Sequence, residues 1–174
     1  MAGPRTDPAQ LDRVAAALVR AGKTPLVLRR PIVGHLVNRL QHALLHEAYH
    51  LIAEGVVTVA EVDLVARMTL GPRMCVTGLI EQKDISGLVV HAASQRGIVP
   101  ALAHTNRPVA LLQDLEAAGD LGLSTGRGFY DWRHADAAAV RTETARRLRA
   151  VIDFLEGLGP RPPATRPADR SHAP

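Results

Sequence analysis

Four histidines share one stripe of a single stretch with an asparagine and an arginine. Residues 34–55 read GHLVNRLQHALLHEAYHLIAEG. At about 100° per residue, His35, Asn38, Arg39, His42, His46 and His50 fall on one side of a helix. Leu36, Val37, Leu40, Leu44, Ala48, Leu51 and Ile52 fall on the other. A solvated helix face is ordinarily made of Glu, Lys and Arg, so these polar residues point to chemistry. An imidazole titrates near neutrality and can move a proton. An amide can donate to a developing oxyanion without changing charge. A guanidinium can hold a carboxylate or a phosphate. His46-Glu47-Ala48-Tyr49-His50 also matches H-E-x-x-H, which sets two imidazoles on one side of a helix for zinc. Glu61 or Asp63 would then have to serve as a further ligand. The plain alternative is a face turned to water.

The elements that must carry this stripe follow from composition and periodicity. A chain of 174 residues supports one domain with its own core. The formal net charge is +4, with much of the excess arginine in the last third. No Lys/Arg cluster alternates with aromatics, so no nucleic-acid partner is expected. Cys75 is alone, so an internal disulfide is excluded. With no apolar signal core and no membrane-length run, no membrane partner is expected and the cytoplasm is the expected location.

Leu11, Val14, Ala15, Leu18 and Val19 predict a first helix ending near Gly22. Thr24 to Leu28 reads as a short buried strand, which needs a partner from another chain or must exist as irregular structure. The histidine-bearing helix runs from about Val33 to Gly55, and its apolar stripe is expected to be buried. Thr58-Val59-Ala60-Glu61 is a capping-box pattern opening a short helix. Leu70 to Gly78 reads as a loop, Glu81 to about Arg96 as one helix, and 98–108 as a loop. Val109 to Ala118 predicts a further helix, and Gly122 to Trp132 a Gly-rich irregular segment. Ala135 to Leu158 predicts one long helix, with residues 159–174 disordered. The expected fold is all-α, a bundle of roughly six helices with one short N-terminal strand.

Several of these pieces occur in a familiar order. They are GKTPLVL (22–28), GHLVNRL (34–40), Glu47-Ala48, Glu54-Gly55, Asp63, Leu70-Gly71, Glu81…Asp84…Gly87-Leu88 and STGRGFYDW (124–132). Together they resemble the C-terminal, substrate-binding and dimerisation domain of the 3-hydroxyacyl-CoA dehydrogenase family over about residues 9–132. The resemblance implies a helical bundle over 31–158 that forms a homodimer. It makes residues 1–30 a remnant helix and strand of a lost Rossmann domain. It carries Asn38 over as the residue that hydrogen-bonds near the substrate carbonyl at the domain cleft. His35 stands where the family usually has Phe, and Ser124 where it usually has Lys.

Residues 1–24 offer no Gly-rich phosphate turn between a strand and a helix, so no cofactor is expected to bind this chain. Three functions follow. The favoured one is a cofactor-free enzyme acting on a β-hydroxy or β-keto acyl thioester, or a polyketide-like acid, by dehydration, decarboxylation or cyclisation. Here His35 would be the acid–base and Asn38 the oxyanion donor, with Arg39, His42, Tyr49 and Asp84 lining the substrate. The second is the substrate-binding and dimerisation subunit of a split NAD-dependent dehydrogenase, served by a separate Rossmann subunit or an acyl carrier. The third is a non-catalytic binding module. No metal is expected, with His46 and His50 the alternative pair.

Overall fold

The structure, a computed structural model, describes residues 3, 5–28 and 30–159. The first helix, α1, spans Pro8–Arg20. Asp7 caps it, its carboxylate accepting from the Ala9 N–H at 2.9 Å, and Pro8 fills a first-turn position where no N–H is needed. The central helix, α2, spans His35–Ala53. Gly34 (φ 78°) and His35 (φ 52°) are both left-handed where the chain turns into it. At its other end the Val56 N–H returns to the Leu51 carbonyl and the Gly55 N–H to Ile52, both at 3.0 Å, which satisfies the last open carbonyls.

Helix α3, Val59–Val65, begins with the predicted reciprocal cap. The Thr58 hydroxyl accepts from the Glu61 N–H at 3.3 Å, and the Glu61 carboxylate accepts from the Thr58 N–H at 2.8 Å. The Thr58 backbone bond, more than the bond from its hydroxyl, holds the Glu61 carboxyl below its ordinary range. A π-turn over Ala66–Leu70 leads into α4, Gly71–Thr77. Then come α5, Glu81–Ser86, and α6, Leu88–Ile98, which passes into a 3₁₀ turn at Val99–Ala101. Helix α7 spans Ala110–Ala117, and α8 spans Ala137–Gly157 behind the Asp136 cap. Along α8 the Glu143 carboxylate takes Arg146 and Arg147, each at 2.7 Å, which pull its pKa down to about 2.

Four expectations are corrected. No strand forms among the described residues, and Lys23–Leu28 is irregular, because no second strand offers it a ladder. The loop expected over 70–78 is α4. Gly71-Pro72 reads as a breaker, yet proline is tolerated in a first turn. The single helix expected over 81–96 is two, broken at Gly87 with φ 95°, a conformation that interrupts any helix. The apolar stripe of α2 is not buried within the chain. Leu36, Leu40 and Leu44 keep 42%, 47% and 53% of their surface exposed. The disorder expected over 159–174 lies, from residue 160 onward, outside the described residues.

The exposure of the α2 stripe extends to the rest of the described residues. Among the described residues no side chain, apolar or polar, is buried. The accessible surface is 14,565 Å². A compact monomer of 18.7 kDa exposes about 8,300 Å². The excess, about 6,000 Å², is more than any stretch of about 15 residues exposes even when fully unfolded, about 2,300 Å². The helices are therefore well made locally, and their apolar faces are largely uncovered.

Because the reciprocal cap starts α3 without help from a core, Thr58→Ala is expected to lower stability by about 1 kcal/mol. Urea unfolding followed by circular dichroism measures it. A change within experimental error would mean that α3 is held by contacts other than its cap.

Candidate functional site

Helix α2 positions every candidate but Asp84. Glu47, at its middle, accepts from the Ala103 N–H at 2.8 Å, tying the helix to the loop ahead of α7. That bond joins residues 56 apart in sequence and is partly buried, so it fixes the rotation of α2 against that loop. With α2 set in this way, its two long faces meet different surroundings.

On one face Val33, Gly34, Asn38, Arg39, His42, Ala43 and His46 line an open cleft of about 370 Å³. Asn38, His42 and His46 follow at four-residue spacing, so they stack along one stripe. Among the described residues no carboxylate lines the cleft. The His46 Nε2 atom is buried and has no hydrogen-bond partner. A buried polar atom with no partner is uncommon and costly.

The structure does not bring His35 to this cleft. Its left-handed backbone takes the side chain out of the helical i, i+3 register with Asn38. His35 instead lines a separate cleft of about 240 Å³ with Leu26, Leu28, Leu36 and Val37. Periodicity alone assumes helical geometry at every position, and this one departs from it.

Tyr49 points elsewhere again. It lines an apolar cavity of about 310 Å³ whose walls include Leu45, Ile52, Asp63, Phe129, Tyr130 and Trp132. Tyr49 stacks on Phe129 with centroids 5.5 Å apart, and Tyr130 meets Trp132 edge-on at 5.9 Å. The Tyr130 hydroxyl donates to Asp63 Oδ2 at 2.7 Å. That hydrogen bond, with the Asp63 charge behind it, raises the Tyr130 pKa above its ordinary value. The Gly-rich segment 122–132 can deliver these rings because its backbone folds tightly on itself. A Cβ at Gly128 would lie 2.7 Å from the Gly122 Cα, so only glycine fits there. Asp84 is exposed on α5 and lines neither the cleft nor this cavity.

The H-E-x-x-H reading of 46–50 meets a different use of its glutamate, which is the anchor to Ala103. Among the described residues no three His, Cys, Asp or Glu side chains converge on a point where they could hold a metal. His46, read in the sequence as part of the polar stripe and as a zinc ligand, lines the same cleft as Asn38. Its spacing from Asn38 was the available signal.

These features have relatives. Residues 34–132 match the 3-hydroxyacyl-CoA dehydrogenase, C-terminal domain family, and the chain belongs to that family. It is 32% identical to an L-carnitine dehydrogenase of Streptomyces griseus, with 97% of this chain and 49% of that protein aligned. It is 26% identical to the 5-formyl-3-hydroxy-2-methylpyridine 4-carboxylate 5-dehydrogenase of Mesorhizobium japonicum, over 90% of this chain and 51% of that protein. A crystal structure of a 5-dehydrogenase of that name, described as an NAD+ dependent dismutase, superposes with a TM-score of 0.86 at 26% identity. It covers 90% of this chain and 50% of the other. The chain thus spans about half the length of these relatives. Among the described residues no helix is long and apolar enough to cross a membrane.

A folded-state pKa raised at Tyr130 adds stability below the phenol's ordinary pKa of 10.0, and this stability is lost as pH rises through the folded value. Asp63→Asn is expected to bring the Tyr130 titration back toward 10.0. Ultraviolet titration of the tyrosines reads this directly. An unmoved titration would mean that Asp63 does not hold the phenol.

Proposed function

We propose that the chain is the substrate-side, helical half of a dehydrogenase-type enzyme, in which Asn38 holds the reacting oxygen of a small hydroxy or oxo compound. The observation that carries this is the cleft at the start of α2. It sets Asn38 beside Arg39, His42 and His46, with one ring nitrogen left unpartnered. The relatives support the class of reaction, since both are dehydrogenases by name.

The NAD+ named for the related structure does not fit the residues here. A dinucleotide's pyrophosphate sits at a Gly-rich turn from a strand into a helix. Among the described residues there is no strand to make that turn. The chain's own part is to bind and orient. The Asn38 amide N–H donates to the substrate oxygen, and Arg39 and the two imidazoles hold the remainder of the molecule. A second copy of the chain covers the apolar faces of α2 and the helices after it. An uncovered excess of this size calls for an interface of the obligate class.

A second reading keeps the acid–base enzyme that needs no cofactor. It is favoured by His42 and His46, two imidazoles on the same cleft as Asn38, either of which could move a proton in a dehydration, decarboxylation or cyclisation.

Asn38→Ala is expected to lower turnover by about 10²–10³-fold with helicity unchanged, as for an oxyanion donor. Unchanged turnover would remove Asn38 from the site. Calorimetry is expected to find no micromolar binding of NAD(H) to the chain, and such binding would overturn the assignment as substrate-side half. Conversion of 3-hydroxybutyryl-CoA by the chain without any dinucleotide would move the conclusion to the second reading.

A further inference from the structure

Residues 58–103 leave α2 and come back to it. They leave where Val59 and Val62 of α3 wall the cavity of Tyr49 and Ile52. They return where the Ala103 N–H meets Glu47. Both attachments lie on the second half of α2, from residue 47 onward. Between them each element packs chiefly on the next in sequence, α3 on the π-turn, that turn on α4, α4 on α5 and α5 on α6. The excursion is thus an open clasp with both ends fixed on one helix. Its apolar side chains stay exposed, among them Leu64, Ile85 and Leu88, with Met68 at 71% and Val89 at 85%. The first half of α2, with Leu40 and Leu44, is uncovered as well.

We propose that the clasp of each copy closes on the first half of α2 of a second copy, so that two chains interleave to build one core. This rests on the reading that a second copy covers these faces. Area decides the form of the contact. The exposed excess is about 6,000 Å² per chain. Two faces laid side by side bury about 800 Å² per partner in an interface of ordinary size, and about 2,500 Å² in a large obligate one. Neither covers the excess. A helix enclosed by a clasp is covered on several sides, and it covers the inner faces of the clasp in turn. Within one chain the clasp leaves Leu40 and Leu44 bare, although both belong to the helix that carries it. A second copy brings the same two surfaces in reverse order. One two-fold axis then fills both clasps and covers both helices, so the assembly closes at two. An unrelated partner would have to supply a helix for the clasp and a separate cover for α2. Asn38 lies between Leu36 and Leu40, so the half-helix that carries it is seated by the other copy.

Methyl NMR on separately labelled chains tests this. Met68 and Met74 both lie in the clasp, on the π-turn and on α4. One preparation of the full chain carries ¹³C-methyl methionine and another ¹³C-methyl leucine, each otherwise deuterated. The two are unfolded in urea, mixed and refolded. A nuclear Overhauser effect between a methionine and a leucine methyl then arises only between chains. Cross-peaks from Met68 or Met74 to Leu40 or Leu44 are expected in this mixture. They are expected to be lost when both labels sit on one chain diluted into an excess of deuterated chain. Cross-peaks that survive the dilution would place the clasp on its own α2 and overturn the proposal. A dimer without cross-peaks in the mixture would overturn it too, and would leave a second copy in contact through other faces. A monomer in light scattering would overturn both the exchange and the reading it rests on. If the mixture does not refold, a chain with Leu40→Cys, Met68→Cys and Cys75→Ser decides. A disulfide between chains, seen as a dimer band without reductant, is expected, and a disulfide within one chain or none contradicts the exchange. The role of Asn38 stands apart from these results, because turnover of Asn38→Ala tests it.

Discussion

The structure depends on one constraint: the chain makes helices but does not cover them. Local signals suffice for each element. Asp7 and Asp136 cap α1 and α8, the Thr58–Glu61 pair starts α3, and the Gly55 turn ends α2. None of these buries apolar surface, and burial is what offsets the entropy of ordering a chain. With no described residue buried, the proposal that a second copy covers these faces supplies the free energy that a single chain lacks. Helix α2 carries both the uncovered leucines and the polar cleft.

Helix α2 keeps these two roles apart. Leu36, Leu40 and Leu44 stand exposed on one side, ready for an apolar surface. Asn38, His42 and His46 stand on another, one turn apart, along an open cleft. Glu47 holds the helix by its bond to Ala103, and the aromatic cluster around Tyr49 ties it to segment 122–132. A surface that closes over the leucines can therefore fix the cleft without entering it.

Much of this was legible in the sequence where the cause is local. The capping box, the Gly55 stop, the span of α2 and the long C-terminal helix follow from side chains near in sequence. So did the family, because its motifs recur in order. What was not legible depends on geometry between elements or on one backbone angle. His35 reads as a helical neighbour of Asn38 until its left-handed φ takes it to another cleft. His46 reads as half of a zinc motif, and the sequence alone does not show that Glu47 holds Ala103 or that the His46 Nε2 is buried without a partner. Residues 70–78 read as a loop because propensity at Gly71 and Pro72 says nothing of a proline in a first turn. The stripe of α2 reads as core because periodicity reports which face is apolar, never what covers it.

The central claim is that these helices are stable only against a second copy of the chain. Its most direct test is urea unfolding, followed by circular dichroism, at chain concentrations from about 1 to 100 μM. If folding and association are one step, the midpoint rises with concentration, by the equivalent of about 2.7 kcal/mol for a hundredfold change. A midpoint independent of concentration, together with a monomeric mass in light scattering across the same range, would contradict the account.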